Sequence, residues 1–595
     1  MFFMTYIGYT KSKKLKKLFK LSRLFITTYG WKYFLFLAKN EFKKKGFSIF
    51  TPDAAPKPSF LFENYQTEYT GYLKNIHHNL SEEFQTTNTR SITMIILFDG
   101  NTQKLNHTID SLKKQIHSNW NALILPLTLK SSKTIVEIDT TKIKKLDFTD
   151  NDKKLTESLL SKSDFFCILK AGNLLDQYAL SKILSIQDHE NSDLVYSDHD
   201  IIRDHERTYP FFKPNWSPYL LRSTNFLSPL CVIKAQIFNK IRIESNFLNS
   251  IDYDILLKCT EITNKIFHVS IPLCSIEEEY YSKKQLLSHK IVLQNHLNRI
   301  KINGTVKNGI GKNSFRVRYK LTSKPKVSIL IPTRNNYNMI KRCIDSLEKK
   351  TNYSNKEIII IDNDSDSSKV KKYLQNIPYK IINFKGNFNF SKMNNFAAKE
   401  TSGDLLLFLN DDTKAIDANW LDELVSVCMQ SDVGAVGPKL IFSDNTIQHA
   451  GMVFLNTGAG FHPGMRLEKN TDAYHNIINV MRDYSAVTGA CLLVKKDVFD
   501  KIGGFDDQFD VYYGDSDLCL KIIESGYRVV YTPFTELLHE GSKSIQFWHA
   551  GASFFDVENH QLFMKKWSYL KNGDPFYNSN LDWDYSISKN PFKLT

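Results

Sequence analysis

The chain has 595 residues, with 78 Lys and Arg against 63 Asp and Glu, a formal charge of +15, 42% hydrophobic and 24% charged residues. This composition excludes wholesale disorder, and only 25 Gly and 17 Pro exclude a collagen-like or low-complexity chain. Eight dispersed cysteines (Cys167, Cys231, Cys259, Cys274, Cys343, Cys428, Cys491 and Cys519) with no CxxC pair point away from a disulfide framework or cysteine-rich zinc site and fit a reducing cytoplasm.

Residues 1–50 hold twelve Lys or Arg and one acid, Glu41, so they carry +11 of the +15 and leave only +4 for the rest. Leu15, Leu18, Phe19, Ser22 and Phe25–Ile26 recur between lysines at near-helical spacing, as in an amphipathic helix on an anionic surface. The apolar stretch around Leu24–Ala38 is interrupted by Lys32 and falls short of the ~20 residues of a membrane span, and no signal-peptide cleavage site follows. A solvated lysine face and nucleic-acid binding compete with this reading. The absence of zinc-finger, RNP-type or basic-zipper patterns disfavours nucleic acid. Peripheral attachment to the inner face of a cytoplasmic membrane is preferred.

Residues 51–85, with Pro52, Pro56 and Pro58, read as a linker plus a short helix. Next comes an apolar strand, Ser91–Phe98, a helical pattern on Leu105, Ile109, Leu112 and Ile116, and a second strand, Asn121–Pro126. This βαβ order implies a parallel sheet covered by helices. The order returns at Lys326–Pro332, Ile340–Cys343–Ile344–Leu347 and Glu357–Asp362. Two further pairs align: Ser163–Leu169 with Gly403–Leu409, and Asp252–Lys258 with Asp515–Lys521. The offsets are 235 (Ile92 to Val327), 240 (Asp164 to Asp404) and 263 (Asp252 to Asp515), rising as in two copies with insertions in the second. The expected architecture is therefore α/β, with tandem domains at 86–320 and 321–595.

Chemistry is concentrated in the second copy. Pro332-Thr333-Arg334-Asn335 leaves the first strand, and Asp362-Asn363-Asp364 the second, at the carboxyl ends that border the crevice of a parallel sheet. Either could also be a simple turn. Strand 404–409 delivers Asn410-Asp411-Asp412, whose adjacent carboxylates need a compensating cation, for which hard Mg²⁺ or Mn²⁺ suits oxygen ligands; a helix cap is the plainer alternative. Asp515 opens a helix with Leu518, Ile522 and Ile523 on its apolar face and Gly526 as its stop. At that terminus the dipole favours the carboxylate, which could act as general base or merely cap the helix. A strand at Arg528–Tyr531 leads through Pro533 to His539, a metal-ligand candidate only by its company.

The ordered set Val327–Asn335, Ile361–Asn363, Gly403–Thr413, Gly489-Ala490, Gly503–Asp506, Asp515–Leu520 and His539 resembles family 2 glycosyltransferases of the GT-A fold. It is closest to the rhamnosyltransferase-like branch of bacterial surface polysaccharide synthesis, as Ile447-Gln-His-Ala-Gly451 and Asp574-Pro-Phe-Tyr-Asn578 also suggest. The resemblance implies two tandem GT-A (Rossmann-like) domains behind a basic amphipathic arm, and an inverting enzyme that uses Mn²⁺ or Mg²⁺. Its donor would be a dTDP- or UDP-sugar, and its acceptor a glycan or lipid-linked glycan of the O-antigen or lipopolysaccharide type. It implies Asp515 as catalytic base and Asp412 and His539 as metal ligands. Donor contacts would come from Pro332, Thr333, Arg334, Asn335, Asp362, Asp364, Asn410 and Asp411, and acceptor contacts from Gly489, Ala490 and Asp517.

Departures from the family pattern are Gly514 and Asn410, where acids are common, and Gly541 after the histidine. The first copy resembles the amino-terminal partner of tandem members through Tyr196-Ser-Asp198 and Phe212–Pro218. There Lys170-Ala-Gly-Asn173 fills the metal-motif slot and Ser275 falls near the late histidine, while Asp252 and Asp254 persist, so it reads as degenerate. A processive synthase is disfavoured by the lack of QxxRW and of membrane spans, Gln546-Phe-Trp548 being only an echo. The rival from another class is a non-catalytic nucleotide-sugar or glycan-binding scaffold.

Overall fold

The computed structural model describes residues 65–84, 89–134, 141–160, 162–277, 281–472, 474–540, 557–582, 585 and 587. The basic arm, Gly541 and Gln546–Trp548 lie outside the described residues. No described helix is long and apolar enough to cross a membrane.

The first half builds a mixed sheet from β1 (Ile92–Phe98), β2 (Trp120–Pro126), β3 (Ile143–Lys145), β4 (Phe165–Lys170), β5 (Leu174–Leu175), β6 (Leu194–Arg203), β7 (Glu206–Phe211), β8 (Cys231–Lys234) and β9 (Ile266–Glu277). A hairpin of β10 (Gly304–Asn308) and β11 (Phe315–Tyr319) follows. The second half supplies β12 (Val327–Thr333), β13 (Lys356–Asp362), β14 (Lys380–Asn383), β15 (Leu405–Leu409), β16 (Thr413–Ala415), β17 (Val433–Ile441) and β18 (Ile447–His449). After these come β19 (Val453–Phe454), β20 (Gly460–Phe461), β21 (Arg482–Asp483), β22 (Cys491–Lys495) and β23 (Arg528–His539).

Two sheets share one topology. The order β3-β2-β1-β4-β8-β6-β9-β5 in the first is matched place for place by β14-β13-β12-β15-β22-β17-β23-β16 in the second. Directions match as well: the first four strands run parallel, the next two joins are antiparallel, then parallel, then antiparallel. Strands β1 and β12 are buried at every residue, as expected where helices cover both faces. The helix Tyr337–Lys349 shows how: Ile340, Cys343, Ile344 and Leu347 are all buried, and Asn336 caps it by accepting from the Met339 N–H.

Elements expected from the sequence lie within a few residues of their predicted bounds, with one instructive exception. The last strand does not stop at Tyr531 but runs to His539 as β23. Its register against β17 jumps from Pro438↔Thr532 to Lys439↔Glu536, so Pro533 falls in an irregularity where no ladder donor is required.

By contacts the chain forms two units, one holding 58–322, 470–483 and 575–595 and the other 323–469 and 484–574. The helix Tyr65–Glu83 and two later segments thus join the first unit, beyond the boundaries expected from the sequence. A buried carboxylate organises that unit. Asp198 accepts from His268 Nε2 (2.7 Å), the Lys213 N–H (2.7 Å) and Asn578 Nδ2 (3.0 Å), while Tyr196 donates to the Pro214 carbonyl (2.6 Å). Asn578 thus joins the motifs Tyr196–Asp198 and Phe212–Pro218 in one network, with Asp198 fully buried and satisfied.

Candidate active site at the carboxyl ends of the second sheet

Three loops meet where β12, β13 and β15 end. Thr333 closes β12 and donates through Oγ1 to Asp411 (2.7 Å). Asn335, at φ +56°, accepts from the N–H groups of Asp366 (2.9 Å) and Ser367 (3.0 Å) and donates its own N–H to Ser365 (3.0 Å), tying the two loops together. Asp362 is buried at the end of β13 and accepts from the Ser365 N–H (3.2 Å). Asp364 is exposed at φ +50°, Pro332 is buried inside β12, and Arg334 is half-buried beside Thr333.

Asp412 and His539 come together. Strand pairing sets Thr413 opposite His539, and the Glu540 N–H donates to the Asp412 carbonyl (3.2 Å). His539 Nε2 then lies 3.0 Å from Asp412 Oδ1, both residues buried. Among the described residues, neither that oxygen nor either imidazole nitrogen has a hydrogen-bond partner. Orphaned buried polar atoms of this kind require explanation. Adjacent ligands of a six-coordinate Mg²⁺ or Mn²⁺, with bonds of about 2.1 Å at right angles, stand about 3 Å apart, so the donor set and its spacing fit such a cation. Among the described residues no group of three or more His, Cys, Asp or Glu is gathered for a metal. Next to this pair, burial pushes the Asp411 carboxyl up to about 7, with Asp412 adding to the rise and the Thr333 hydroxyl opposing it.

Asp515 is the second residue of the helix Gly514–Glu524. Its Oδ2 accepts from the Gly489 N–H (2.8 Å) and its Oδ1 from the Ser516 N–H (2.7 Å). Desolvation nevertheless outweighs these bonds and raises its pKa, which corrects the expectation that the helix terminus simply favours the ionised form. A carboxylate made more basic by burial is better suited to accept a proton. Gly489 lies close against both neighbours: a Cβ there would stand 3.2 Å from Phe390 and 3.3 Å from the Asp515 Cβ. The Asn410 N–H donates to the Ala490 carbonyl (3.1 Å), so Gly489-Ala490 joins the Asn410–Asp412 turn to Asp515. Gly514 is glycine for a local reason: Ser391 Oγ lies 2.8 Å from where its Cβ would be.

Asp517 does not join this group. It is fully buried, accepting from Trp567 Nε1 (2.9 Å) and paired with Lys566 (2.7 Å), and holds the helix Val557–Lys566 in place. Its counterpart Asp254 is likewise buried against Lys258 (2.6 Å), which marks the second acid of each copy as structural rather than as an acceptor contact.

One segment escaped the sequence reading. Residues 384–395 span both poles: the Phe384 and Gly386 carbonyls accept from Asn363 Nδ2 (3.3 and 3.0 Å). Farther along, the Phe390 N–H donates to the Asp510 carbonyl (2.6 Å), and Asn395 bonds Phe505 and Asp507. The loop that presents Asp515 is thus held by the helix Phe390–Ala398. The available signal was the Asn-rich run Gly386-Asn-Phe-Asn-Phe-Ser-Lys-Met-Asn-Asn395 after a strand end.

Comparison with known proteins gives a consistent result. Residues 328–503 match the model of glycosyl transferase family 2. The O-antigen biosynthesis protein RfbC of Myxococcus xanthus is 32% identical over 71% of this chain and 34% of its own length. An uncharacterized protein, y4gI, of Sinorhizobium fredii is 30% identical over 73% of this chain and 50% of its own. The chain therefore spans between a third and a half of these relatives. A solved structure of GalNAc-T7 with UDP, GalNAc and Mn²⁺ aligns at 15% identity over 44% of this chain and 60% of that one, with a TM-score of 0.32.

Proposed function

We propose, from the membership of residues 328–503 in glycosyl transferase family 2, that this chain is an inverting, metal-dependent glycosyltransferase acting on a surface glycan of the O-antigen or lipopolysaccharide type. The observation that carries the metal-dependent reading is the 3.0 Å approach of Asp412 to His539 with their facing atoms unpaired, at the same sheet edge as Asp515. In this reading Asp362 and the 333–335 loop hold the nucleoside, and Asn410 and Asp411 flank the diphosphate. Asp412 and His539 hold Mn²⁺ or Mg²⁺, which when bound supplies positive charge to stabilise the leaving diphosphate. Asp515 takes the proton of an acceptor hydroxyl as that oxygen forms its bond to the anomeric carbon. The bond to the diphosphate breaks on the opposite face, which inverts the configuration. The Gly489 N–H keeps the base aimed at the acceptor.

Both sheets are read as GT-A domains, at about 86–320 and 321–595, with the first degenerate and given to acceptor binding or packing. In support, its corner opposite Leu174 carries Ser275, and Lys170 sits 3.9 Å from Asp252, the counterpart of the base. The basic arm is assigned to an anionic cytoplasmic membrane surface. The donor is a nucleotide sugar, dTDP- or UDP-linked by family resemblance. The decisive experiment is a panel of dTDP-rhamnose, UDP-hexoses and GDP-mannose with Mn²⁺ or Mg²⁺, comparing wild type with Asp515→Asn. Wild type transfers sugar from one donor and the variant does not; equal transfer by both removes Asp515 as base. No nucleoside diphosphate release from any donor favours a binding scaffold.

A further inference from the structure

Past the basic arm, positive charge is concentrated in one stretch of the first unit. Residues 281–322 hold ten Lys and Arg and no Asp or Glu, so the rest of the chain beyond residue 50 carries a net −6. They form the helix Lys283–Arg299, the hairpin of β10 and β11 and the turns beside them. Arg299 is bound to Glu261 (2.7 Å). Lys283, Lys284, Lys301, Lys307, Arg318 and Lys320 are all exposed.

Helix stability does not explain the lysines. A capping box fixes the start of this helix, the Gln285 N–H donating to Ser282 Oγ (3.2 Å) and the Ser282 N–H to Gln285 Oε1 (2.9 Å). Its first turn nevertheless carries Lys283 and Lys284 and no acid, against the macrodipole, whose amino end favours anions. Leu287 follows within one turn, Lys290 comes three residues later, and Ile291 stands four residues beyond Leu287 on the same face. Leu287 is 58% and Ile291 43% exposed, while His289, Val292, Leu293, His296 and Leu297 on the other side are buried. The outer face continues to Gln294, whose side chain donates to the Gly304 carbonyl (3.0 Å) and accepts from the Val306 N–H (3.1 Å), joining the helix to the edge of β10. There Thr305 and Lys307 stand opposite Arg318 and Arg316, on the side of the hairpin away from buried Val306 and Val317. Two exposed aliphatic side chains are thus bordered by cations on a rigid surface.

We propose that this face of the first unit binds an anionic lipid surface, with Leu287 and Ile291 entering the acyl boundary and the surrounding Lys and Arg meeting headgroup phosphates. A nucleic-acid backbone would take the cations alone, whereas a lipid interface takes both the cations and the aliphatic side chains. The surface is independent of the glycosyltransferase reading, and it adds a folded contact to the one assigned to the arm.

The test floats the full chain with vesicles of phosphatidylglycerol and phosphatidylcholine, and with vesicles of phosphatidylcholine alone. Wild type binds the first far more tightly than the second. Joint Lys283→Glu, Lys284→Glu and Lys290→Glu weakens binding to the anionic vesicles about tenfold or more, as does Leu287→Ser with Ile291→Ser. The same charge reversal at Lys369, Lys371 and Lys372, on the helix Ser368–Asn376 of the other unit, changes it less than about twofold. Acids in the first turn agree with the helix dipole, so the lysine variant keeps or raises its Tm and its lost binding is not a loss of fold. Losses no larger than that of the Lys369, Lys371 and Lys372 control overturn the proposal. Binding that needs the lysines but not Leu287 and Ile291, and that duplex DNA matches, assigns the face to nucleic acid and overturns it as well. A wild type that floats with neither vesicle overturns both this surface and the arm's assignment, and leaves the glycosyltransferase reading untouched.

Discussion

The two sheets repeat one topology, yet their equivalent corners are chemically opposite. In the second, the facing side-chain atoms of Asp412 and His539 have no hydrogen-bond partner among the described residues, and Asp515 is held by the Gly489 and Ser516 N–H groups and the Ser516 hydroxyl (3.3 Å). In the first, Ser275 stands opposite Leu174, and the neighbouring Asp200 accepts from Tyr69 (2.5 Å) and Arg207 (2.7 Å). Asp252 there accepts from Asn225 (3.2 Å) and sits 3.9 Å from Lys170. The same backbone thus carries a serine and a lysine-flanked acid in one half, and an aspartate–histidine pair in the other.

The sharpest way to break the comparison is to neutralise the paired acids. Asp515→Asn lowers sugar transfer by ~10²–10⁴, the range for loss of a general base, while Asp252→Asn changes it less than about twofold. Equal losses, read as nucleoside diphosphate release, would make both halves reactive. At the cation corner, Asp412→Ala and His539→Ala each lower turnover by ~10²–10³ and move the midpoint of a Mn²⁺ titration upward, whereas Ser275→Ala does neither.

Stability measurements extend the contrast to satisfied and unsatisfied carboxylates. Asp198→Ala strands His268, Lys213 and Asn578 groups in the interior and costs about 3 kcal/mol in urea unfolding. Asp411→Asn acts in the opposite direction. Its folded pKa is raised to about 7 from an ordinary 3.8, so the metal-free protein loses stability as pH rises through about 7 and keeps it below the ordinary value. At pH 8 without divalent ions the substitution raises Tm by about 2–4 °C; at pH 4, or with saturating Mn²⁺, the gain disappears.

Much of this was readable before any coordinates. Fully apolar runs such as Val327–Pro332 announce a strand covered on both faces, and their repetition at a rising offset announces a duplicated unit. Asp412, Asp515 and His539 stand out only as an ordered set, since each alone could be a cap or a turn residue. Asp517 misled because an acid two residues after Asp515 looks equivalent in the linear order; helical geometry turns it to the opposite side, onto Trp567 and Lys566. The segment 384–395 was missed because its asparagine-rich run reads as a turn, while its partners, Asn363, Asp507 and Asp510, lie 20 or more residues away in sequence.

Local pattern and composition alone determined the α/β class, the duplication and the candidate acids, since burial periodicity and residue chemistry are properties of short stretches of chain. Tertiary structure decided which candidates share a site, which are satisfied, and how proximity shifts their proton affinity. Those are matters of distance and desolvation between residues remote in sequence: the 3.0 Å between Asp412 and His539, and the 2.8 Å between the Gly489 N–H and Asp515, exist only once the sheet has brought its strands together.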